Sequence, residues 1–358
     1  MTLSQSTLSP SHPLVDGRTA NSPLITAYRG GKPSRRPVWF MRQAGRSLPE
    51  YRELRVGTTM LESCLKPAMA AEITLQPVRR HGVDAAIFFS DIVIPLKLAG
   101  VGVDIVPGVG PVLDHPIRTA ADVAALPVLT DESLDPIREA VALTVKELGS
   151  TPLIGFAGAP FTVAAYMVEG RPSRDHLGPR TMMHADPEVW AALMNWAADA
   201  SGKFLRAQVE AGASAAQLFD SWAGSLGLDD YTEHVAPASA RALDHVRDLE
   251  VPLIHFGTGT SELLGAMLNV GVDVMGVDYR LPLDEANRRL GGRVPLQGNI
   301  DPALLNAPWP VLEAHVRDVI AAGASAPAHV LNLGHGVPPE TDPAVLTRVV
   351  ELIHSIEP

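Results

Sequence analysis

Arg42, Arg46, Arg52 and Arg55 crowd one short segment of a chain with 40 acidic and 29 basic side chains and a formal net charge of -11. Guanidinium grips carboxylate and phosphate through paired, planar hydrogen bonds. The knot therefore reads as a site for a small polyanion. It follows the apolar run Pro37-Val38-Trp39-Phe40, which has strand character, so it stands where a barrel or an open sheet puts its chemistry. The same residues also read as a solvated basic loop, with Glu50 and Glu53 offering helix ion pairs. An acidic chain lacks the basic footprint that nucleic acid requires, which leaves a small anion as the better partner.

The elements that must position this knot recur along the chain. Short apolar runs of strand length are each followed by a Gly- or Pro-containing loop and then a helical pattern. They are Val38–Met41, Ala85–Phe89, Leu153–Ala157, Ala215–Phe219, Leu253–Phe256, Val274–Val277, Val294–Gln297 and Val330–Leu333. Pro187–Glu210 and Asn306–Gly323 are the clearest helices, the first with Asp186 at its N-cap and Pro187 in its first turn. This alternation predicts an α/β fold, a single (β/α)8 TIM barrel, with extra structure after the second strand. A hairpin around Val101–Val112 and a helix after Asp135 would fill that gap.

Composition sets the outer limits. Of 358 residues, 46% are hydrophobic and 19% charged, which suits a sizeable core. One cysteine, Cys64, excludes an internal disulfide framework and a cysteine-rich metal site, and agrees with a reducing cytoplasm. Residues 1–23 are Ser- and Pro-rich without an apolar core of signal-peptide length, so a flexible tail is expected there, with one domain over 24–358. The most apolar stretch, Ala85 to Leu113, is broken by Asp91, Lys97 and Asp104, and is no membrane span.

A barrel carries its active site at the C-terminal ends of its strands. Polar residues stand at those ends here: Arg42; Ser90-Asp91; Thr162 with Tyr166; Asp220-Ser221; Thr258; Asp278-Tyr279-Arg280; Asn299; and His335. Turn chemistry explains any one of them singly. Taken alone, Asp91 and Ser221 also read as helix caps, His335 as a turn residue and Tyr166 as half-buried core. Neither Gly257-Thr258-Gly259 nor Gly334-His335-Gly336 completes a dinucleotide-binding loop.

Several of these segments together resemble the uroporphyrinogen decarboxylase family. They are Pro37-Val38-Trp39-Phe40-Met41-Arg42-Gln43-Ala44-Gly45-Arg46, Phe89-Ser90-Asp91-Ile92, Gly158-Ala159-Pro160-Phe161-Thr162, Tyr166-Met167-Val168-Glu169-Gly170, Phe219-Asp220-Ser221-Trp222-Ala223-Gly224, Gln297-Gly298-Asn299-Ile300-Asp301-Pro302 and Asn332-Leu333-Gly334-His335-Gly336. They run in family order from about residue 24 to the C-terminus. Two positions depart from the pattern: Ser47 stands where many members carry an aromatic residue, and Trp222 where some carry histidine.

The resemblance implies a single (β/α)8 barrel, a homodimer, working without metal or organic cofactor in tetrapyrrole synthesis. Its reaction turns the four acetates of uroporphyrinogen into methyls, giving coproporphyrinogen and four CO2. Arg42, Gln43, Ala44, Arg46, Arg55, Asp91, Tyr166, Ser221 and His335 match substrate-contacting positions. Phe89, Phe161 and Phe219 would line a dry pocket. Asp91 would accept hydrogen bonds from the pyrrole N–H groups and balance a positive ring, with Arg42 holding the reacting acetate and Tyr166 and His335 orienting or supplying protons. Two rivals stand beside this reading. A zinc-dependent methyltransferase of the same superfamily would need thiolate and imidazole ligands, and the chain has no C-x-x-C, H-x-C or H-E-x-x-H. A non-catalytic porphyrinogen-binding protein would keep the arginines and lose Asp91 or Tyr166, and both are present.

Overall fold

Leu153-Ile154-Gly155-Phe156-Ala157-Gly158 is apolar at every position, as a parallel strand covered on both faces must be. In the computed structural model, which describes residues 7–358, that run is a strand buried along its whole length. In chain order the strands are β1 (Ala86–Ile87), β2 (Val103–Val106), β3 (Gly110–Leu113), β4 (Leu153–Gly158), β5 (Ala215–Asp220), β6 (Leu253–Gly257), β7 (Val274–Gly276), β8 (Leu296–Gln297) and β9 (His329–Val330). Among the described residues, seven of them form one parallel sheet in the order β1-β4-β5-β6-β7-β8-β9. From β4 to β9 sequential strands are neighbours, with helices between them, while β1 pairs with β4 across the separate β2–β3 hairpin. The register aligns Gly158 with Phe219 and Asp220 with Gly257, so the strand ends that carry polar residues lie side by side.

The expected first strand, Val38–Met41, is a single parallel bridge from Val38 to Leu331. The segment nonetheless touches both edges of the sheet. Leu331 N–H donates to Pro37 O at 2.9 Å and Trp39 N–H to Leu331 O at 3.2 Å; on the other side Asp84 N–H donates to Val38 O at 2.8 Å. The sheet is therefore curled. Side chains rather than ladder partners end the pairing. Asp84 Oδ2 takes Val38 N–H at 2.9 Å, Gln43 Oε1 takes Phe40 N–H at 3.0 Å, and Asn332 Oδ1 takes Met41 N–H at 2.9 Å. Asp84 is buried and also holds Arg35 and His354.

The filler after β1 follows expectation. β2 and β3 pair antiparallel, and a helix runs Asp135–Leu148. The long helix is Pro187–Glu210; Asp186 stands at its N-cap without a side-chain capping bond. The next expected helix starts at Trp309 rather than Asn306, because Pro302–Asn306 forms a separate short turn capped by Asp301.

Residues 7–22, expected within a flexible tail, lie packed on the body. His12 Nε2 is 3.0 Å from Val209 O and Thr19 Oγ1 is 2.9 Å from Ser214 Oγ, with Leu8, His12 and Thr19 buried. Residues 1–6 of that expectation lie outside the described residues. No described helix is long and apolar enough to cross a membrane.

Candidate active site

The arginine knot separates into groups with different tasks. Arg42 and Arg46 are exposed, and neither makes a hydrogen bond or ion pair among the described residues. Arg55 is engaged: it donates to Ser63 Oγ at 3.0 Å, to the Tyr51 hydroxyl and to Thr58 O, and lies over the Tyr51 ring. Arg52 lines an outer hollow of about 650 Å³ with Arg80, Thr347 and Glu351. The helix ion pairs expected within the knot do not form; Glu50 pairs with Arg80 instead.

Arg42 stands in a left-handed backbone conformation, with φ of 58°. Gln43 beside it is fully buried. Its amide accepts from Phe40 N–H and donates to Ala85 O at 3.0 Å, so this side chain builds the turn and offers nothing outward. Ala44 is half-buried beside it, while Ser47 is buried with an unpartnered hydroxyl.

Asp91 follows β1, at the strand ends that carry the polar residues. It keeps some solvent contact, yet burial pushes its carboxyl above the ordinary range, opposed by Val93 N–H and by the Arg42 guanidinium. One oxygen thus accepts a local hydrogen bond, from Val93 N–H at 3.1 Å, as a cap would. Beneath it Cys64 is fully buried, its thiol pushed up by burial and by the Asp91 charge. Phe89 is buried edge-on against Tyr51, at 5.7 Å between ring centres.

Tyr166, on the helix Pro160–Glu169, is half-buried and feels both Asp91 and Arg42. Burial and then the Asp91 charge raise its hydroxyl to about 12, which keeps it protonated at neutral pH. Its ring stacks on Trp222 at 3.8 Å, and His176 stacks on the other side of Trp222 at 4.2 Å. Phe219 packs edge-on between Phe156 and Phe256 and is half-buried, as a lining residue would be. Phe161 does not line the site: it is fully buried and turned to Trp190 of the long outer helix.

Hydrogen bonds join the neighbouring loops. Thr162 Oγ1 donates to Asp220 Oδ1 at 2.7 Å and accepts Trp222 N–H at 3.3 Å. Thr258 Oγ1 donates to Ser221 O, while the Ser221 hydroxyl caps no helix. Asp278 takes Gly259 N–H and the Arg280 guanidinium, and Asn299 Nδ2 donates to Asp278 O at 2.7 Å. His335 is exposed; partial burial, then Arg42 and Arg280, hold its imidazole below the usual range despite Asp278. Arg42, Asp91 and Tyr166 thus share one field, and Arg42 also reaches His335.

A guanidinium free to bind, facing a half-buried carboxylate with its pKa raised and a protonated phenol, suits an acidic ligand with N–H donors at its centre. The comparisons agree. The model of the family described as uroporphyrinogen decarboxylase (URO-D) matches residues 19–356. The chain belongs to the uroporphyrinogen decarboxylase family. Uroporphyrinogen decarboxylase of Arthrobacter sp. (strain FB24) is 84% identical over 344 residues, covering 96% of this chain and 100% of that protein. That of Leifsonia xyli subsp. xyli (strain CTCB07) is 65% identical over 368 residues, covering 97% and 98%. Among solved structures, a methyltransferase from Methanosarcina mazei has a TM-score of 0.78 at 19% identity, over 94% of this chain and 98% of that one. At that identity the likeness concerns the fold alone.

Sequence reasoning missed His176 and Arg280 as parts of this arrangement, and Asp84 as the buried anchor of the Val38 segment. Arg280 stood in view at a strand end; it follows β7 and His335 follows β9, two strands that flank β8 in the sheet. His176 and Asp84 carry no local signal; their partners lie far along the chain.

Proposed function

We propose that this chain decarboxylates the four acetate side chains of uroporphyrinogen III to methyls, giving coproporphyrinogen III and four CO2 in porphyrin and heme biosynthesis. The observation that carries it is Arg42 beside Asp91: an unpaired cation for the acetate next to an anion for the pyrrole. Loss of CO2 requires somewhere for the bonding electrons to go, and the protonated pyrrole serves as its own sink. Protonation of a ring carbon makes the ring cationic. The C–CO2 bond then breaks, its electrons neutralise the ring, and the exocyclic methylene takes a proton to become methyl as the ring carbon releases its own. One proton is consumed per CO2 released.

Asp91 acts by being charged when the ring is. Its buried surroundings make the anion costly in the free protein, so a developing pyrrole cation relieves that cost and is stabilised preferentially. Arg42 holds the reacting acetate, and Arg46 takes a further carboxylate. Tyr166, kept protonated, donates a hydrogen bond or a proton; His335, held neutral in the free protein, gains basicity when carboxylates arrive. Ser221 and the backbone around Ala44 contact the macrocycle, with Phe89 and Phe219 keeping the site dry. Gln43 and Arg55 serve by building the turn and the helix behind it. The Val38 segment completes an eight-membered (β/α)8 barrel that aims these loops at one mouth, and the chain acts as a cytoplasmic homodimer; light scattering of the purified protein tests the dimer.

The activity is tested by incubating chelator-treated protein with freshly reduced uroporphyrinogen without oxygen, then oxidising and separating products by carboxylate count. Stepwise appearance of seven-, six-, five- and four-carboxyl porphyrins is expected. Tight binding with all eight carboxylates retained would mean a binding protein instead. Methyl transfer restored by zinc would favour the methyltransferase reading.

A further inference from the structure

Away from the strand ends, His184, Asp230 and His234 each bring a ligand atom within 4.8 Å of the others. Asp230 and His234 stand four apart on the helix Leu228–His234, a spacing that puts two side chains on one helix face. His184 comes from the last turn of a different helix, Leu177–Ala185. Its Nε2 lies 3.2 Å from Asp230 Oδ1, and its ring centre 5.4 Å from that of His234, at 85°.

A His–Asp ion pair explains the first distance and gives His234 no task. Among the described residues neither ring nitrogen of His234 has a hydrogen bond, although its backbone carbonyl accepts Trp190 Nε1–H at 3.1 Å, which anchors that helix end. Two imidazoles and one carboxylate whose ligand atoms converge within 4.8 Å are a donor set that suits a small, borderline-soft cation. We propose that His184, Asp230 and His234 form a binding site for a divalent transition-metal ion of the zinc class. Two nitrogens and one carboxylate oxygen supply three ligands, and the exposed side of His184 leaves room for water as the fourth. Calcium and magnesium are poor candidates, because they demand more oxygen ligands.

The site has a place in the architecture. The helix bearing His184 leads out of the segment containing His176, and the helix bearing Asp230 and His234 follows the loop containing Trp222. His176 and Trp222 already stack. A bound cation would join the same two segments a second time, about 12 Å along the helix from His176 at 1.5 Å per residue. It would act as a staple, outside the decarboxylation chemistry.

The test uses the full chain, stripped with chelator, titrated with Zn2+ by calorimetry and with Co2+ by visible absorption. One Zn2+ per chain is expected, with Co2+ bands of a four- or five-coordinate site. Binding should vanish in His234→Ala. It should weaken by at least about tenfold in Asp230→Asn, which keeps an acceptor for His184 but loses the charge. His245→Ala, which removes a different, part-buried histidine beside Asp199, should leave it unchanged. Circular dichroism checks the fold, and if His234→Ala unfolds, Asp230→Asn decides alone. Zn2+ binding equally tight in wild type and Asp230→Asn, or no stoichiometric binding at all, would overturn the site.

Discussion

A Cβ placed on Gly336 would stand 2.5 Å from Cδ of Arg42 and 3.2 Å from its Cβ. The turn after β9 therefore packs directly on the side chain that begins the arginine knot, so a segment near the start of the chain meets one near its end. Because the crowding reaches Arg42 Cβ and not just its flexible tip, Gly336→Ala must displace the guanidinium. Its kcat/KM for uroporphyrinogen should fall by roughly tenfold or more, equivalent to about 1.4 kcal/mol of transition-state binding. Unchanged kinetics would mean that Arg42 does not hold the acetate.

Arg42 also carries backbone strain. A side chain at φ 58° costs about 1–2 kcal/mol that glycine does not incur. Arg42→Gly should therefore unfold at a higher temperature than Arg42→Ala, with both losing binding and turnover. Arg171→Ala, an exposed arginine outside these loops, should match wild type.

Trp222 lies between Tyr166 and His176, so it fixes where the phenol can go. Trp222→Ala should lower kcat more than it raises KM, because Arg42 and Arg46, the proposed acetate contacts, are left in place. Trp222→Phe, which keeps a stacking face, should recover most of the loss. A change confined to thermal stability would make the stack structural only.

Acid sensitivity follows from two buried imidazoles. His81 and His329 are held neutral mainly by desolvation, each down to about 4 from 6.5. Unfolding frees them to take protons below pH 6.5, so their stabilising effect is complete above that pH and is lost as pH falls toward 4. Melting temperature should decline over that window. His329→Gln, which can still donate to the Gly298 carbonyl that His329 Nε2 meets at 2.6 Å, should flatten the decline.

How much of this was legible before the structure depended on where the partners lay. β4 was readable because its residues are apolar on both faces, β5 and β6 because their short runs are apolar but for Gln217 and His255, and Asp91 because a lone acid ended such a run. Val38–Met41 reads as a strand for the same reason. Its pairing is nevertheless ended by Asp84, Gln43 and Asn332, which no local pattern reveals. Arg42 and Arg55 look alike in sequence; only packing shows that one is free and the other already bound to Tyr51, Thr58 and Ser63. The same holds for His184 and His234, which meet through two separate helices.

The central claim is that Asp91 works through its charge, and Asp91→Asn tests it most directly. Asparagine keeps an oxygen for Val93 N–H and removes a buried anion whose pKa is raised, so the variant should melt no lower than wild type at neutral pH. Measured without oxygen under single-turnover conditions, it should bind uroporphyrinogen with little change while the first CO2 is released at least about a hundredfold more slowly, in line with the loss of one preorganised electrostatic contact. A wild-type rate of first decarboxylation in the folded variant would contradict the account.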